Sequence, residues 1–116
     1  KDVPAFIEEA SRLVTARVPG ARPVAFGHMG DGNIHFNISQ PVGADRAAFL
    51  ALWDEVGDIV HGVVEKFGGS ISAEHGIGQL KRELLRRVKD PTALEAMRAI
   101  KAALDPKGIL NPGKLL

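Results

Sequence analysis

Phe26-Gly-His-Met-Gly-Asp-Gly-Asn-Ile-His-Phe-Asn37 decides how this chain is read. It holds two of the four histidines and three of the thirteen glycines, with Asp31-Gly32 near its centre. Asp-Gly is a strong hairpin signal, because a type I′ turn needs φ > 0 at both central positions. With Asp31 and Gly32 in those positions, Gly30 pairs with Asn33, Met29 with Ile34, and His28 with His35. Directly opposed residues have Cβ atoms roughly 4.5–5.5 Å apart. Two imidazoles so placed can converge on one ion at the distance of about 2.0–2.1 Å that zinc requires. The three glycines also permit a longer loop, which would break the direct pairing. The register separates two faces. Ala25, Gly27, Met29, Ile34, Phe36 and Ile38 make a core face with large residues opposite small ones. Phe26, His28, Asn33, His35, Asn37 and Ser39 make a wet, functional one.

On either side of this hairpin, expected from Arg22 to Ser39, the chain reads as helices. Asp2 to about Arg17 has Pro4 in its first turn, and Phe6, Ile7, Ala10, Leu13 and Val14 at helical spacing. Val18-Pro19-Gly20 turns the chain into the hairpin, and Pro41-Val42-Gly43 breaks it again. Asp45 can cap a long helix to about Phe67, with Phe49, Leu52, Trp53, Val56, Ile59, Val60, Val63 and Val64 on one face. Gly68-Gly69 stops it. Ser70 to Ala73 is a short strand candidate, Gln79 to Lys89 a basic helix. Asp90 caps a last helix that begins at Pro91 and runs through Leu104, and the tail from Asp105 to Lys114 is turn-rich. The order predicts an α+β domain: a small, mainly antiparallel sheet with helices packed on one face.

Composition sets the bounds. The 116 residues make one domain at most, and 45% hydrophobic with 25% charged residues is the balance of a globular protein. A net charge of +1 argues against nucleic acid as the main partner. Absence of cysteine removes disulfides and thiolate metal sites. No run is long and apolar enough to span a membrane. The abrupt start inside a helix, and the small number of strands for one sheet, lead us to expect a piece of something longer.

Two constellations can carry chemistry. His28 and His35, beside Asn33 and Asn37, are either solvated strand histidines or metal ligands. Glu74-His75 stands between the short strand and Gly76-Ile77-Gly78, where the backbone can turn sharply. Neighbours at a strand end point in opposite directions and so serve different roles. If Glu74 joins the two histidines, the set is His2Glu with an open fourth position, the pattern of catalytic zinc. His75 is then free as acid or base. The bland alternative is a loop Glu in an ion pair next to an exposed His. Asp31 reads as a turn stabiliser, and His61 with Asp54, Asp58 and Glu65 as solvated surface. Lys81, Arg82, Arg86, Arg87 and Lys89 form a charge run of the kind that usually faces water. Trp53 and the phenylalanines fall at core spacing.

Three motifs resemble those of a known family. They are Gly27-His-Met-Gly-Asp-Gly-Asn-Ile-His35, Gly69-Ser-Ile-Ser-Ala-Glu-His-Gly-Ile-Gly78 and Asp105-Pro-Lys-Gly-Ile-Leu-Asn-Pro-Gly-Lys114. Together, and in this order, they resemble the C-terminal domain of FAD-linked oxidases. Within it they are similar to the D-lactate, glycolate and D-2-hydroxyglutarate dehydrogenase branch of the vanillyl-alcohol oxidase superfamily. The resemblance implies that residues 1–116 are the C-terminal portion of a substrate and metal domain, without the FAD-binding domain that precedes it in the family. It implies His28, His35 and Glu74 as ligands of a divalent metal, zinc in the first instance, although manganese or iron would also suit. It further implies His75 as the base on the substrate 2-hydroxyl, Asn37 as a substrate contact, and Asn111 and Lys114 in the segment that returns toward the flavin. The implied activity is FAD-dependent oxidation of a D-2-hydroxy acid to the 2-oxo acid by the full-length enzyme, the piece alone being inactive. Implied partners are the small hydroxy acid, the FAD domain of the same chain and an electron acceptor, with homo-oligomers allowed. The implied place is the cytoplasm or a membrane periphery. Two other classes compete: a small zinc-dependent hydrolase using the same His2Glu set, and a non-catalytic interaction module with structural histidines.

Overall fold

A computed structural model describes residues 1–116 as five α-helices and one two-stranded antiparallel sheet, an α+β arrangement. The chain separates into two compact units, Lys1–Ser70 and Ile71–Leu116.

In the first unit, α1 (Val3–Arg17) accepts Pro4 in its first turn, where the missing N–H costs no helical bond, and buries Ala10 and Val14. The strands β1 (Arg22–His28) and β2 (Asn33–Ser39) have the expected outer ends, but β1 stops two residues short of Gly30, where the expected pairing began. Their connection differs from the tight turn. Met29–Asp31 is a single 3-10 turn closed by Gly32 at φ +69, whose N–H donates to the Met29 carbonyl at 3.2 Å. The loop therefore takes four residues, Met29 to Gly32, and the register moves: His28 lies opposite Asn33, and His35 opposite Phe26. The move is by two positions, so the residues that stay in the strands keep their faces, but Met29, expected on the core face, lies in the turn and is 59% exposed. Pro23, Ala25, Ile34, Phe36 and Ile38 are half-buried, whereas on the other face Val24, Phe26, His28, Asn37 and Ser39 are exposed and Asn33 and His35 half-buried.

The long helix expected from Asp45 to Phe67 is two helices. Asp45 caps α2 (Arg46–Ala51), its carboxylate accepting from the Ala47 N–H at 3.1 Å. Leu52, at φ −92 and ψ 1, interrupts the ladder, and its N–H turns back to the Phe49 carbonyl at 3.1 Å; α3 (Trp53–Lys66) follows. The interruption lets Phe49 and Leu52 both pack on the core while Trp53 turns outward, 70% exposed, against the expectation that it was core. Gly68 ends α3 at φ +65. Its N–H donates to Glu65 O and that of Gly69 to Val64 O, each at 2.9 Å, the paired bonds of a Schellman motif.

The core of this unit is Val14, Val18, Ala21 and Val56, with Phe36, Ile38, Phe49, Leu52, Ile59 and Val60 packed on it. Phe6 meets Phe36 and Phe67 edge-on at centroid distances of 6.0 and 6.2 Å. Helices thus cover the predicted core face of the hairpin. The exposed Arg17–Glu55 pair, at 2.5 and 2.7 Å, raises the guanidinium pKa and lowers that of the carboxylate, mainly through the hydrogen bonds between them.

In the second unit, α4 (Arg82–Val88) buries Leu85 and α5 (Pro91–Leu104) buries Leu94. The Asp90 carboxylate accepts from Thr92 and Ala93 N–H at 2.9 and 3.2 Å, the cap read from sequence. Ser70–Ala73 is not a strand; it runs in bends with no ladder partner, and backbone without a ladder is not held extended. No helix is long and apolar enough to cross a membrane.

Candidate functional site

Strand alternation places His28, Asn33, His35 and Asn37 on the open face of the hairpin. His28 and His35 are diagonal neighbours there rather than directly opposed. Diagonal Cβ atoms lie somewhat less than about 7–8 Å apart, within the combined reach of two imidazoles. The plane of the His35 ring is set by Phe26, which stacks on it at 5.0 Å and 8°. Phe26 is therefore a surface residue of this face, 52% exposed, and not part of the core. Gly27 makes the approach of the strands possible. Its φ is +147, and a Cβ built on it would lie 2.3 Å from the Asn33 carbonyl oxygen.

The second constellation lies wholly in the second unit. Glu74 and His75 are exposed on a run of bends. The Ser72 hydroxyl donates to the His75 carbonyl and closes the bend around both residues. Lys81 Nζ donates to the Ile71 carbonyl at 2.6 Å and holds the start of the run. Its end is held at Gly78, φ +62, whose carbonyl accepts the Leu115 N–H at 2.8 Å. Arg82 adds a bond to the Gly113 carbonyl at 3.2 Å. Lys81 and Arg82 are thus backbone clamps and only half-exposed, where the charge run suggested a solvated face.

These bonds tie the third motif to the second. In Asn111-Pro112-Gly113-Lys114 the Lys114 N–H donates to the Asn111 carbonyl at 3.2 Å, and Gly113 has φ +72. Pro at the second position and a positive-φ Gly at the third make a type II turn. Asn111 itself is left-handed, φ +47, a conformation Asn tolerates better than most residues. Both Asn111 and Lys114 are exposed.

Asp105 organises the segment before that turn, a role not assigned to it in the sequence. Only 7% exposed, its carboxylate accepts from the Ile109 and Leu110 N–H groups, both at 3.0 Å, and from Lys101 Nζ. Lys101 also donates to the Leu110 carbonyl at 2.5 Å. The Lys101 ammonium, followed by the two amides, holds the Asp105 carboxyl below its ordinary pKa against the opposing effect of burial. The signal for it was present, a Lys four residues before an Asp at a helix end, followed by Pro.

The donor types suit a divalent ion, and the hairpin supplies two of them on one face. No group of three or more His, Cys, Asp or Glu side chains that could hold a metal ion is found, so the expected zinc has no gathered ligand set.

Comparison with known proteins decides the family. The model of FAD linked oxidases, C-terminal domain, matches residues 1–115. The chain belongs to this family. Among curated relatives, D-2-hydroxyglutarate dehydrogenase of Stutzerimonas stutzeri is 45% identical over 113 residues, covering 97% of this chain and 24% of the relative. The mitochondrial D-2-hydroxyglutarate dehydrogenases of Bos taurus and Arabidopsis thaliana are 44% and 43% identical, covering 80% and 83% of this chain and 16% of each relative. The chain therefore spans a quarter or less of the relatives it matches. The family membership agrees with the α+β fold and with the resemblance carried by the three motifs.

Proposed function

We propose that this chain is the substrate-facing part of an FAD-dependent dehydrogenase that oxidises a D-2-hydroxy acid, D-2-hydroxyglutarate first among them, to the 2-oxo acid. The observation that carries the proposal is the match over 97% of the chain to a protein named D-2-hydroxyglutarate dehydrogenase, beside a family match over residues 1–115 that contains all three motifs. Hydrolase and non-catalytic readings have no comparable support.

Oxidising a 2-hydroxy acid removes a proton from the hydroxyl and a hydride from C2. FAD, when bound, accepts the two electrons of the hydride. A divalent ion, when bound by His28, His35 and Glu74, supplies Lewis acidity toward the hydroxyl. An imidazole nitrogen of His75 takes the hydroxyl proton, the task of a general base. Asn37, on the open strand face, offers an amide donor and acceptor to the substrate. Asn111 and Lys114, both exposed in the segment after α5, would contact the flavin, to which Lys114 would offer a positive charge. The cytoplasm is the compartment we assign to it.

The test uses the full-length protein. D-2-Hydroxyglutarate, D-lactate and glycolate are offered with an artificial acceptor, and metal is measured by elemental analysis with and without His35→Ala. About one equivalent of divalent metal, lost in the variant, is expected, and His75→Ala should lower kcat by about 100-fold or more. Full turnover by the His75 variant would remove it as the base. Activity retained with no metal would take the ion out of the mechanism.

A further inference from the structure

Four clamps meet around the loop that carries Glu74 and His75. Three are on the loop itself: Lys81 at Ile71, Ser72 at His75, and Leu115 at Gly78. The fourth, Arg82 to Gly113, holds the strand of chain that supplies Leu115. That chain, Ile109 to Leu115, has no helix or sheet of its own. Its shape comes from the Asp105 carboxylate at its root and the type II turn at its tip. A carboxylate that is buried, hydrogen-bonded to two successive amides and paired with an ammonium is a costly arrangement to leave unmade. Here it fixes the direction in which the segment leaves α5.

We propose that Ile109–Leu115 is a strap that positions the Glu74–His75 loop, and that Asp105 and Arg82 are positioning residues acting through it. Asp105 fixes the root, Arg82 holds the strap at Gly113, and the Leu115 amide transmits the position to Gly78. The loop is then set by groups that never touch substrate. This rests on the proposed role of His75 for its catalytic consequence, while the mechanical coupling stands on the bonds alone.

Amide hydrogen exchange in the full-length protein separates the two. A purely local role for Asp105 would, in Asp105→Asn, free one of the Ile109 and Leu110 amides, since a carboxamide keeps a single acceptor oxygen, and leave Leu115 protected. The strap requires Leu115, whose bond goes to Gly78, to exchange faster as well, by about tenfold or more. Arg82→Met leaves the Asp105 bonds intact and should also accelerate Leu115, which keeps the test alive if the Asp105 variant folds poorly. With unfolding midpoints near the parent's, both variants should lower kcat more than they raise KM, and Arg82→Lys should recover part of the loss. Leu115 protection unchanged in both variants overturns the strap. Fast Leu115 exchange with parental kcat overturns its positioning role, provided His75→Ala is itself slow. If His75→Ala turns over normally, it is the reading of the reaction that fails, and the Leu115 exchange rates then decide the strap alone.

Discussion

Gly27 shows how much can hang on one missing side chain. Its backbone sits at φ +147, and an added Cβ would meet the Asn33 carbonyl oxygen at 2.3 Å and the Ile34 Cα at 3.1 Å. Both obstacles are backbone, so no side-chain rotation relieves them. Gly27→Ala must push the strands apart beside His28, and we expect a loss of about 2 kcal/mol or more in urea unfolding. An alanine variant as stable as the parent would mean that the strands part there without cost. The sequence marked Gly27 as a small residue facing a large one, which is right for its actual partner Ile34, though another partner was expected. The face of each hairpin residue was legible because alternation survives a two-residue shift. The pairing of the histidines was not, because Asp31-Gly32 advertises a two-residue turn while Met29-Gly30 joins them in a longer one. Alternation put Phe26 on the outward face, where it lies, but its stacking on His35 was hidden, because it depends on the shifted register that sets the two directly opposite.

At the scale of elements, caps and stops were readable because each rests on adjacent residues. Asp90 with Pro91, Asp45, and Gly68-Gly69 all perform as read. The break at Leu52 was not readable: Ala51-Leu52-Trp53 contains no breaker, and packing of Phe49 and Leu52 decides the matter. Ser70–Ala73 failed as a strand for the opposite reason, a fair local pattern with no ladder to join. The segment after α5 has a pH dependence of its own. Asp105 has a lowered pKa in the folded chain, so its contribution is complete above the ordinary carboxylate value of about 4 and is lost as pH falls through the lower, folded value. Exchange of the Ile109 and Leu110 amides, corrected for intrinsic rates, should therefore be steady from neutral pH down to about 4 and accelerate only in stronger acid. In Asp105→Asn that acid-dependent step should vanish. Acceleration already at pH 5 to 6 in the parent, roughly one to two units above the ordinary value, would contradict the lowered pKa.

For the molecule as a whole, the first unit's core is small, and Val14 is the largest of its fully buried side chains. Val14→Ala removes the equivalent of two methylenes and leaves a cavity, with an expected cost of about 2 kcal/mol, read as a lower urea midpoint at unchanged slope. A shift near zero would mean that the helices close over the gap. The family was legible mainly because three short motifs stand in one order, and much less because of any geometry they implied. The residues that hold those motifs in place, Asp105, Arg82 and Lys81, act on backbone groups, and nothing in a one-dimensional pattern says which carbonyl a long cation will reach. Trp53 carries a further consequence. It is the chain's single tryptophan, and its ring is 70% in water at the start of α3. Its emission should be that of a hydrated indole before any unfolding begins, so fluorescence is expected to follow this chain's solvent boundary and to say little about its interior. A blue shift would announce that something has come to cover that ring.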